Sequence, residues 1–304
     1  MIKVEDVSHV AFLAPDLNQM EAFLNDFGLR TSRVDQRLYA RGLGPAPYLH
    51  TTELGEPGLA AIGFRASSVD DVEALGKAER VPPQQVERPG GGVMVTLVDP
   101  DGFLIEVIAG QQFDDGFPLP ESVAWNSARR KGRLRDVRRT GEGASRVVRL
   151  GHCVLSVSNF RRAEAWYKER FGFITSDEIA ASDDVSVGAF MRCDRGDIPT
   201  DHHSLFLVEG PQGVGLHHAA FEVLDLDDLM RGHERLKASG RAAHWGVGRH
   251  VLGSQVFDYW RDPWGNTLEH WTDGDLFTAA DGSRKAPLSD LLALQWGPAP
   301  PMAS

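Results

Sequence analysis

The sequence predicts an α+β protein of two tandem domains that are versions of one design. Its 304 residues suffice for about two domains of ordinary size. Two stretches, beginning at Ser8 and Gly151, share an apolar strand that opens with histidine and is followed by an amphipathic helix. Each half also closes on an Asp-Pro-x-Gly turn between alternating apolar residues, which indicates a hairpin. These repeats predict four modules of a strand, a helix and further strands, two in each domain.

The first helix of each half is predicted from apolar residues at helical spacing. These residues are Leu17, Met20, Phe23 and Leu24 in the first half, and Phe160, Ala163, Tyr167 and Phe171 in the second. Gly28 and Gly172 follow the last apolar positions, and glycine there is the usual signal for the end of a helix. A second matching pair of stretches, from Gly58 and from Gly215, predicts a further strand and helix in each half.

The repeats place one domain at residues 5–112 and the other at residues 148–275. Residues 113–147 between them combine prolines with a run of arginines, and we expect a linker there. On an acidic protein this run could steer a nucleic acid or a substrate, but a solvated linker or a subunit contact is the simpler interpretation. Residues 276–304 contain several prolines and are expected to form a C-terminal tail.

Charge and composition exclude several classes of protein. The net charge of −11 argues against a nucleic-acid-binding protein, because phosphate binding needs a basic face. No stretch approaches the roughly 20 apolar residues of a membrane span, and the N-terminus lacks the apolar segment of a signal peptide. Two cysteines, Cys153 and Cys193, cannot build a disulfide framework. We therefore expect a cytoplasmic protein that binds neither nucleic acid nor a membrane.

The difference between the two halves points to a functional site. The second half carries His152 and His218 at the starts of two strands and Glu269 in its final hairpin. The matching positions of the first half hold His9, Ala61 and Glu106. Two histidines and one carboxylate with open positions form the facial triad of non-haem iron(II) oxygenases. The sequence predicts this metal site in the second half alone, with His217 as the alternative to the preferred His218.

Further polar residues of the second half accompany the predicted triad. If the last hairpin is symmetric about its turn, Tyr259 and Glu269 face each other across the two strands. The first-half counterpart of Tyr259 is Thr96. His203 opens the segment HSLFLV, and His250 precedes the hairpin. Several histidines concentrated around one metal site suggest proton chemistry.

These features together resemble the type I extradiol catechol dioxygenases of the vicinal-oxygen-chelate (glyoxalase-like) superfamily. The motifs that carry the resemblance, in order, are GHCVLSV, HSLFLV, GLHHAAFEV, GRHVLG and FDYWRDPWGNTLEHW. The resemblance covers about residues 5–275. It implies that each domain is a half-open mixed β-barrel of two βαβββ modules around a central cavity.

The resemblance also implies a role for each site residue. The metal, Fe(II) or in some members Mn(II), would be bound by His152, His218 and Glu269. A catechol would chelate it through its adjacent hydroxyls. Tyr259 would bond the ionised oxygen, and His203 would act first as a base and then as an acid. His250 would hold the substrate oxygen or position Tyr259. The implied partners are a catechol, O₂ and further copies of the chain in a homo-oligomer.

Two other functions are compatible with the same fold. A glyoxalase-type isomerase or lyase needs a carboxylate base and would have no use for His203 and Tyr259. A non-catalytic, resistance-type protein binds an aromatic ligand and can dispense with metal ligands, which this chain keeps. The residues that would line an aromatic pocket, or else pack in the core, are Trp245, Trp264, Phe190 and Met191.

Overall fold

The computed structural model describes residues 1–121, 124–211 and 213–301, whose strands form two large sheets and one small one. Residues 122–123 of the predicted linker and 302–304 of the predicted tail lie outside the described residues. Within the described chain, no helix is long and apolar enough to cross a membrane. Both cysteines are buried and free of disulfides.

The first half repeats one order of elements twice. Its first module comprises β1 (Val4–Ala14), α1 (Leu17–Phe27), β2 (Arg30–Val34), β3 (Arg37–Arg41) and β4 (His50–Leu54). Its second module comprises β5 (Gly58–Ala66), α2 (Val69–Glu79), β6 (Gln84–Gln85), β7 (Val93–Val98) and β8 (Leu104–Ala109). The strand order is β2-β3-β4-β1-β5-β8-β7-β6, so the modules meet where β1 and β5 run antiparallel.

The second half is built in the same way. Its first module comprises β9 (Val147–Ser156), α3 (Phe160–Phe171), β10 (Ile174–Ala180), β11 (Ser186–Arg192), β12 (Thr200–Asp201) and β13 (Leu205–Val208). Its second comprises β14 (Gly215–Val223), α4 (Leu226–Ala238), β15 (Ala242–His250), β16 (Val256–Arg261) and β17 (Thr267–Thr272). The central order β10-β11-β13-β9-β14-β17-β16-β15 matches the first sheet strand for strand. This confirms the predicted α+β fold with two βαβββ modules in each half.

The segment expected as a tail is built into the second half. It contains β18 (Leu276–Phe277), β19 (Arg284–Pro287), the single-turn helix α5 (Leu288–Leu291) and β20 (Leu294–Trp296). Strand β19 runs parallel to β10 at one edge of the sheet, and β20 runs antiparallel to β15 at the other. An uncovered sheet edge exposes unpaired backbone groups. The tail therefore covers both edges, although its composition carries no strand pattern.

Local sequence explains the two helices predicted in detail. Asp16 and Asn159 accept hydrogen bonds from backbone amides at the N-termini of α1 and α3. Both helices end at the predicted glycines, where φ is 104° at Gly28 and 71° at Gly172, a conformation that favours glycine. The residues buried on the inner faces are those predicted from spacing: Leu17, Met20, Phe23, Leu24, Phe160, Ala163, Tyr167 and Phe171.

The two halves share one continuous apolar core. His270 on β17 donates a hydrogen bond from Nε2 to the carbonyl oxygen of Phe27, at 2.7 Å, and their rings stack 3.8 Å apart. Beside them, the Asp26 carboxylate accepts hydrogen bonds from Arg235 at 2.7 Å and from Arg241 at 2.6 Å. The end of α1 is thereby fastened to the second half.

We expect Asp26→Asn to lower the free energy of unfolding by about 1–3 kcal/mol, because it removes the buried charge that two arginines share. Burial alone would raise the pKa of Asp26, but hydrogen bonds from Arg241 and Arg235 outweigh it and lower the pKa. The stabilisation is therefore present at neutral pH and is lost as the pH falls below about 4. Urea unfolding measures the change. The control Glu234→Gln removes the exposed pair with Lys237 and should cost less than about 1 kcal/mol. Equal losses would contradict the expectation.

Candidate active site

The candidate site lies on three neighbouring strands in the middle of the second sheet. His152 is on β9, His218 on β14 and Glu269 on β17. One nitrogen or oxygen atom from each lies within 4.8 Å of the others. All three side chains are buried, and the most exposed of them, His218, is 6% exposed. The structure thus brings together the three residues that the sequence grouped as a triad.

The polar atoms of this cluster converge but leave part of their hydrogen-bonding capacity unused. Glu269 Oε2 lies 3.2 Å from His152 Nε2 and 3.1 Å from His218 Nε2. Within the described chain, the buried His218 Nε2 and Glu269 Oε1 have no well-aligned hydrogen-bond partner. Buried polar atoms are normally paired, so free lone pairs at one point indicate a missing ligand. Two imidazoles and one carboxylate are a donor set suited to a divalent transition metal.

Charge at the cluster is consistent with metal binding. Burial alone would raise the pKa of Glu269, but the rings of His152 and His218 against its Oε2 outweigh that effect and lower the pKa. Burial lowers the pKa of His152. The cluster therefore presents an ionised carboxylate and a neutral imidazole at neutral pH, which are the protonation states that bind metals.

A β-bulge decides which of two adjacent histidines faces the cluster. Leu216 pairs with Leu155 and His218 pairs with Val154, so His217 is the extra residue of the bulge. His217 is exposed, and its Nδ1 is 2.7 Å from Nδ1 of His218. Bulges often re-aim side chains next to active sites. The backbone places His218 in the cluster and leaves His217 outside it.

Tyr259 stands beside the cluster as the hairpin symmetry predicted. Tyr259 and Glu269 are direct partners in the register of β16 and β17. The Tyr259 ring is 5.1 Å from the ring of His218, and its hydroxyl is hydrogen-bonded to His250 Nε2 at 3.0 Å. Burial raises the pKa of Tyr259 well above its usual range, so the phenol stays protonated.

His203 stands next to the other histidine of the cluster. Its ring centroid is 4.1 Å from that of His152, and its side chain is buried. Burial lowers the pKa of His203 well below its usual range, which keeps the ring neutral. His203 and Tyr259 therefore flank the cluster, each beside a different histidine.

The four candidate aromatic-pocket residues divide into two pairs. Phe190 packs edge-on against His203 at 4.8 Å, and Trp245 stacks on Tyr259 at 5.6 Å. The other pair, Met191 and Trp264, packs in or against the main core. Phe190 and Trp245 are thus the members of this set that supply apolar surface beside the candidate catalytic residues.

In the first half, an arginine binds the carboxylate that corresponds to Glu269. His9 Nε2 is 2.7 Å from Glu106 Oε2, and Arg88 binds the same carboxylate through two nitrogens, at 2.6 and 2.8 Å. In the register of the sheet, Ala61 lies opposite the residue two beyond His9. This is the position that His218 has in the second half. Comparing the two halves of the sequence missed Arg88. It lies 18 residues before Glu106, in the half where alanine replaces the second histidine.

Comparison with known proteins assigns the fold to a known superfamily. Residues 149–270, which contain the whole cluster, match a family model described as the Glyoxalase/Bleomycin resistance protein/Dioxygenase superfamily. The Mn(II)-bound glyoxalase from Novosphingobium aromaticivorans superposes with a TM-score of 0.79 at 25% identity, covering 99% of this chain and 94% of that one. The 2,3-dioxygenase LapB from Pseudomonas sp. KL28 superposes with a TM-score of 0.75, covering 96% of this chain and 100% of that one. At 20% identity, this second likeness shows the fold alone.

A curated relative identifies the branch of this superfamily. Metapyrocatechase 2 of Cupriavidus necator is 31% identical over 303 residues, which cover 97% of this chain and 89% of the relative. Biphenyl-2,3-diol 1,2-dioxygenase of Paraburkholderia xenovorans (strain LB400) is 29% identical and covers 86% of this chain and 81% of that protein. The chain therefore belongs to the extradiol dioxygenases, the ring-cleaving oxidoreductases of the superfamily.

We expect Arg88→Met to lower the free energy of unfolding by about 3–5 kcal/mol, because it leaves the Glu106 carboxylate buried without its cation. Burial alone would raise the pKa of Glu106, but hydrogen bonds and attraction from Arg88 and His9 outweigh it and hold the pKa at about 2, so the carboxylate is charged at neutral pH. Urea unfolding at pH 7 measures the loss. In the control, Arg33→Met, a partly exposed pair with Glu21 is removed, and the cost should stay below about 1 kcal/mol. Similar costs for both variants would show that Arg88 is no more than a surface cation.

Proposed function

We propose that this chain cleaves the ring of a catechol-type aromatic beside its two vicinal hydroxyls and inserts both atoms of O₂. The product is a ring-opened semialdehyde or keto acid. The observation that carries the proposal is that His203 and Tyr259 flank the buried cluster, one on each side. Membership of the extradiol dioxygenases supports it, since the relatives' names include a biphenyl-2,3-diol dioxygenase and a 3-methylcatechol 2,3-dioxygenase.

The proposed cofactor is Fe(II), with Mn(II) as the alternative. It would be held by His152, His218 and Glu269, whose converging lone pairs fit a divalent cation. Three protein ligands leave positions for both catechol oxygens and for O₂. When bound, the metal supplies Lewis acidity that lowers the pKa of the catechol hydroxyls, and it brings the ring and O₂ together. Two neutral imidazoles and one carboxylate around a divalent ion leave one net positive charge, which favours an ionised catechol.

The protons of the reaction are assigned to residues of this chain. Tyr259 stays protonated and donates a hydrogen bond to the ionised catechol oxygen, while His250 holds its hydroxyl at 3.0 Å. His203 is neutral, so its ring can accept the proton of the second hydroxyl and return it later to an oxygen of the product. A positioned acid–base group of this kind contributes roughly 10²–10⁴ to a rate.

A glyoxalase-type isomerase or lyase is the second candidate, because the Mn(II)-bound glyoxalase superposes well on this chain. Such a reaction needs a carboxylate base and no O₂. In the described chain the metal-binding group contains a single carboxylate, Glu269, which the metal would occupy. The flanking groups are a histidine and a tyrosine, and this favours ring cleavage.

The organisation of the protein in solution is also a proposal. Residues 148–275 would act as the catalytic domain and residues 5–112 as a metal-free supporting domain, with 113–147 as the linker. We propose a cytoplasmic homo-oligomer whose subunits meet partly through this linker. Its large exposed apolar residues support such a contact: Phe113, Leu119, Trp125, Leu134 and Val137.

Oxygen uptake tests the proposed reaction. The chain loaded anaerobically with Fe(II) should consume one O₂ for each molecule of catechol, 3-methylcatechol or 2,3-dihydroxybiphenyl cleaved, with a yellow ring-fission product. His203→Phe should keep the metal and lose turnover by roughly 10²–10⁴. If no catechol of this panel causes O₂ uptake, the proposal fails, and isomerisation of a hemithioacetal by the same preparation would favour the second candidate.

Metal content tests the choice between the two adjacent histidines. His218→Ala should abolish stoichiometric binding of Fe(II) or Mn(II), because it removes one of three ligands. His217→Ala should keep one metal per chain with an affinity lower by about tenfold, since His217 only contacts the back of the His218 ring. Elemental analysis after dialysis measures both. Loss of the metal in His217→Ala together with its retention in His218→Ala would reverse the assignment.

A further inference from the structure

A chain of buried hydrogen bonds runs from the back of His203 to the edge of the sheet. His203 Nδ1 is 3.0 Å from His202 Nδ1, and His202 Nε2 is 2.7 Å from Asp177 Oδ2. The exposed fractions are 3% for His203, 0% for His202 and 1% for Asp177. Water therefore does not compete for these hydrogen bonds. The position of the proton in one bond then restricts its position in the next.

The C-terminal segment fixes the far end of this series of hydrogen bonds. Arg284 on β19 pairs with Asp177 on β10, and its Nη2 is 3.2 Å from Oδ2 of that carboxylate while its Nε bonds the other oxygen. Burial alone would raise the pKa of Asp177, but hydrogen bonds from His202 and Arg284 outweigh it and lower the pKa. The carboxylate is ionised, and the arginine beside it balances its charge.

The proton positions follow from the bonding partners. An ionised carboxylate can only accept, so His202 Nε2 carries a proton. Arg284 donates to both oxygens of Asp177 and so supplies the carboxylate with its cation. With its one ring proton on Nε2, His202 has a free lone pair on Nδ1. The short contact between two Nδ1 atoms then requires that His203 Nδ1 donates. In a neutral His203, this leaves Nε2, at the opposite side of the ring, without a proton.

We propose that Asp177 and His202 are positioning residues that hold His203 with Nδ1 protonated and Nε2 free to accept a proton. This inference rests on the proposed function, in which His203 is the base. His217 makes the same kind of Nδ1 contact with His218, but it is exposed and, among the described residues, joins no buried carboxylate. We call the hydrogen bonds from Asp177 through His202 to His203 the relay. This buried relay is specific to His203, the residue proposed to move protons.

The tautomer itself can be measured without turnover. In the full chain labelled with ¹⁵N-histidine and loaded with diamagnetic Zn(II), two-bond ¹H–¹⁵N correlation spectra distinguish protonated from bare ring nitrogens. The signals of His203 are those lost in His203→Phe. We expect His203 protonated at Nδ1 and His202 at Nε2. A His203 ring protonated at Nε2 would overturn the proposal, whatever the enzyme does with catechols.

Asp177→Asn should reverse the relay. Arg284 needs an acceptor, so the amide oxygen turns toward the arginine and the amide NH₂ donates to His202 Nε2. His202 must then donate from Nδ1 to His203 Nδ1, and the proton of His203 moves to Nε2. With catechol and the Fe(II)-loaded enzyme, we expect kcat to fall about 10–100-fold while KM stays within about twofold. The same spectra should show His203 protonated at Nε2.

A matched control separates positioning from loss of packing. Asp258 is equally buried and binds His233 Nδ1 at 3.0 Å, a carboxylate–histidine pair that is not bonded to His203. Asp258→Asn should leave kcat within about twofold of the wild type. Equal losses of kcat in Asp177→Asn and Asp258→Asn, with an unchanged His203 tautomer, would reduce the relay to a structural feature.

A surface variant keeps the test open if Asp177→Asn does not fold. The Arg284 side chain is 65% exposed, so Arg284→Gln should fold. Without the arginine, Asp177 lacks its cation, and a second proton on the His202 ring would make Nδ1 a donor to His203. We expect a lower kcat, a doubly protonated His202 in the spectra, and recovery of both in Arg284→Lys. If the wild type cleaves no catechol, the proposed function fails, while the spectra still decide the relay.

Discussion

The antiparallel pairing of β9 with β14, where the two modules of the second half meet, is the constraint on which the site depends. It sets His218 opposite Val154, two residues from His152, and the bulge at His217 re-aims the chain at that point. The parallel partner β17 then delivers Glu269 to the same place. Because backbone hydrogen bonds hold each of these strands, the polar atoms of the three side chains converge on one point.

A buried carboxylate needs a positive partner, and the two halves meet this need in different ways. In the first half Arg88 supplies the charge to Glu106 from within the chain. In the second half Glu269 faces two imidazoles, and its Oε1 has no hydrogen-bond partner among the residues that the structure describes. The same backbone therefore yields a closed ion pair in one half and a candidate cation site in the other. The change that separates them is small, since Ala61 takes the register position that His218 has in the second half.

The C-terminal segment belongs to the site as much as to the fold. Strand β19 brings Arg284 to Asp177, and from there hydrogen bonds continue to His203. At the opposite edge of the sheet, β20 pairs with β15, and the Gln295 side chain donates to the backbone carbonyl of His250 at 3.0 Å. Each candidate acid–base histidine is thus supported, directly or through partners, by a segment that the sequence presented only as a proline-rich tail.

The sequence by itself determined the repeated modules and the triad, because both are periodic features that can be compared between halves. Apolar spacing located α1 and α3, and hairpin symmetry paired Tyr259 with Glu269. The tertiary structure alone decided what lies far apart in sequence. Arg284 and Asp177 are 107 residues apart, and nothing local marks them as partners. Arg88 was missed for the same reason, since a lone cation acquires its meaning only when folding buries a carboxylate beside it.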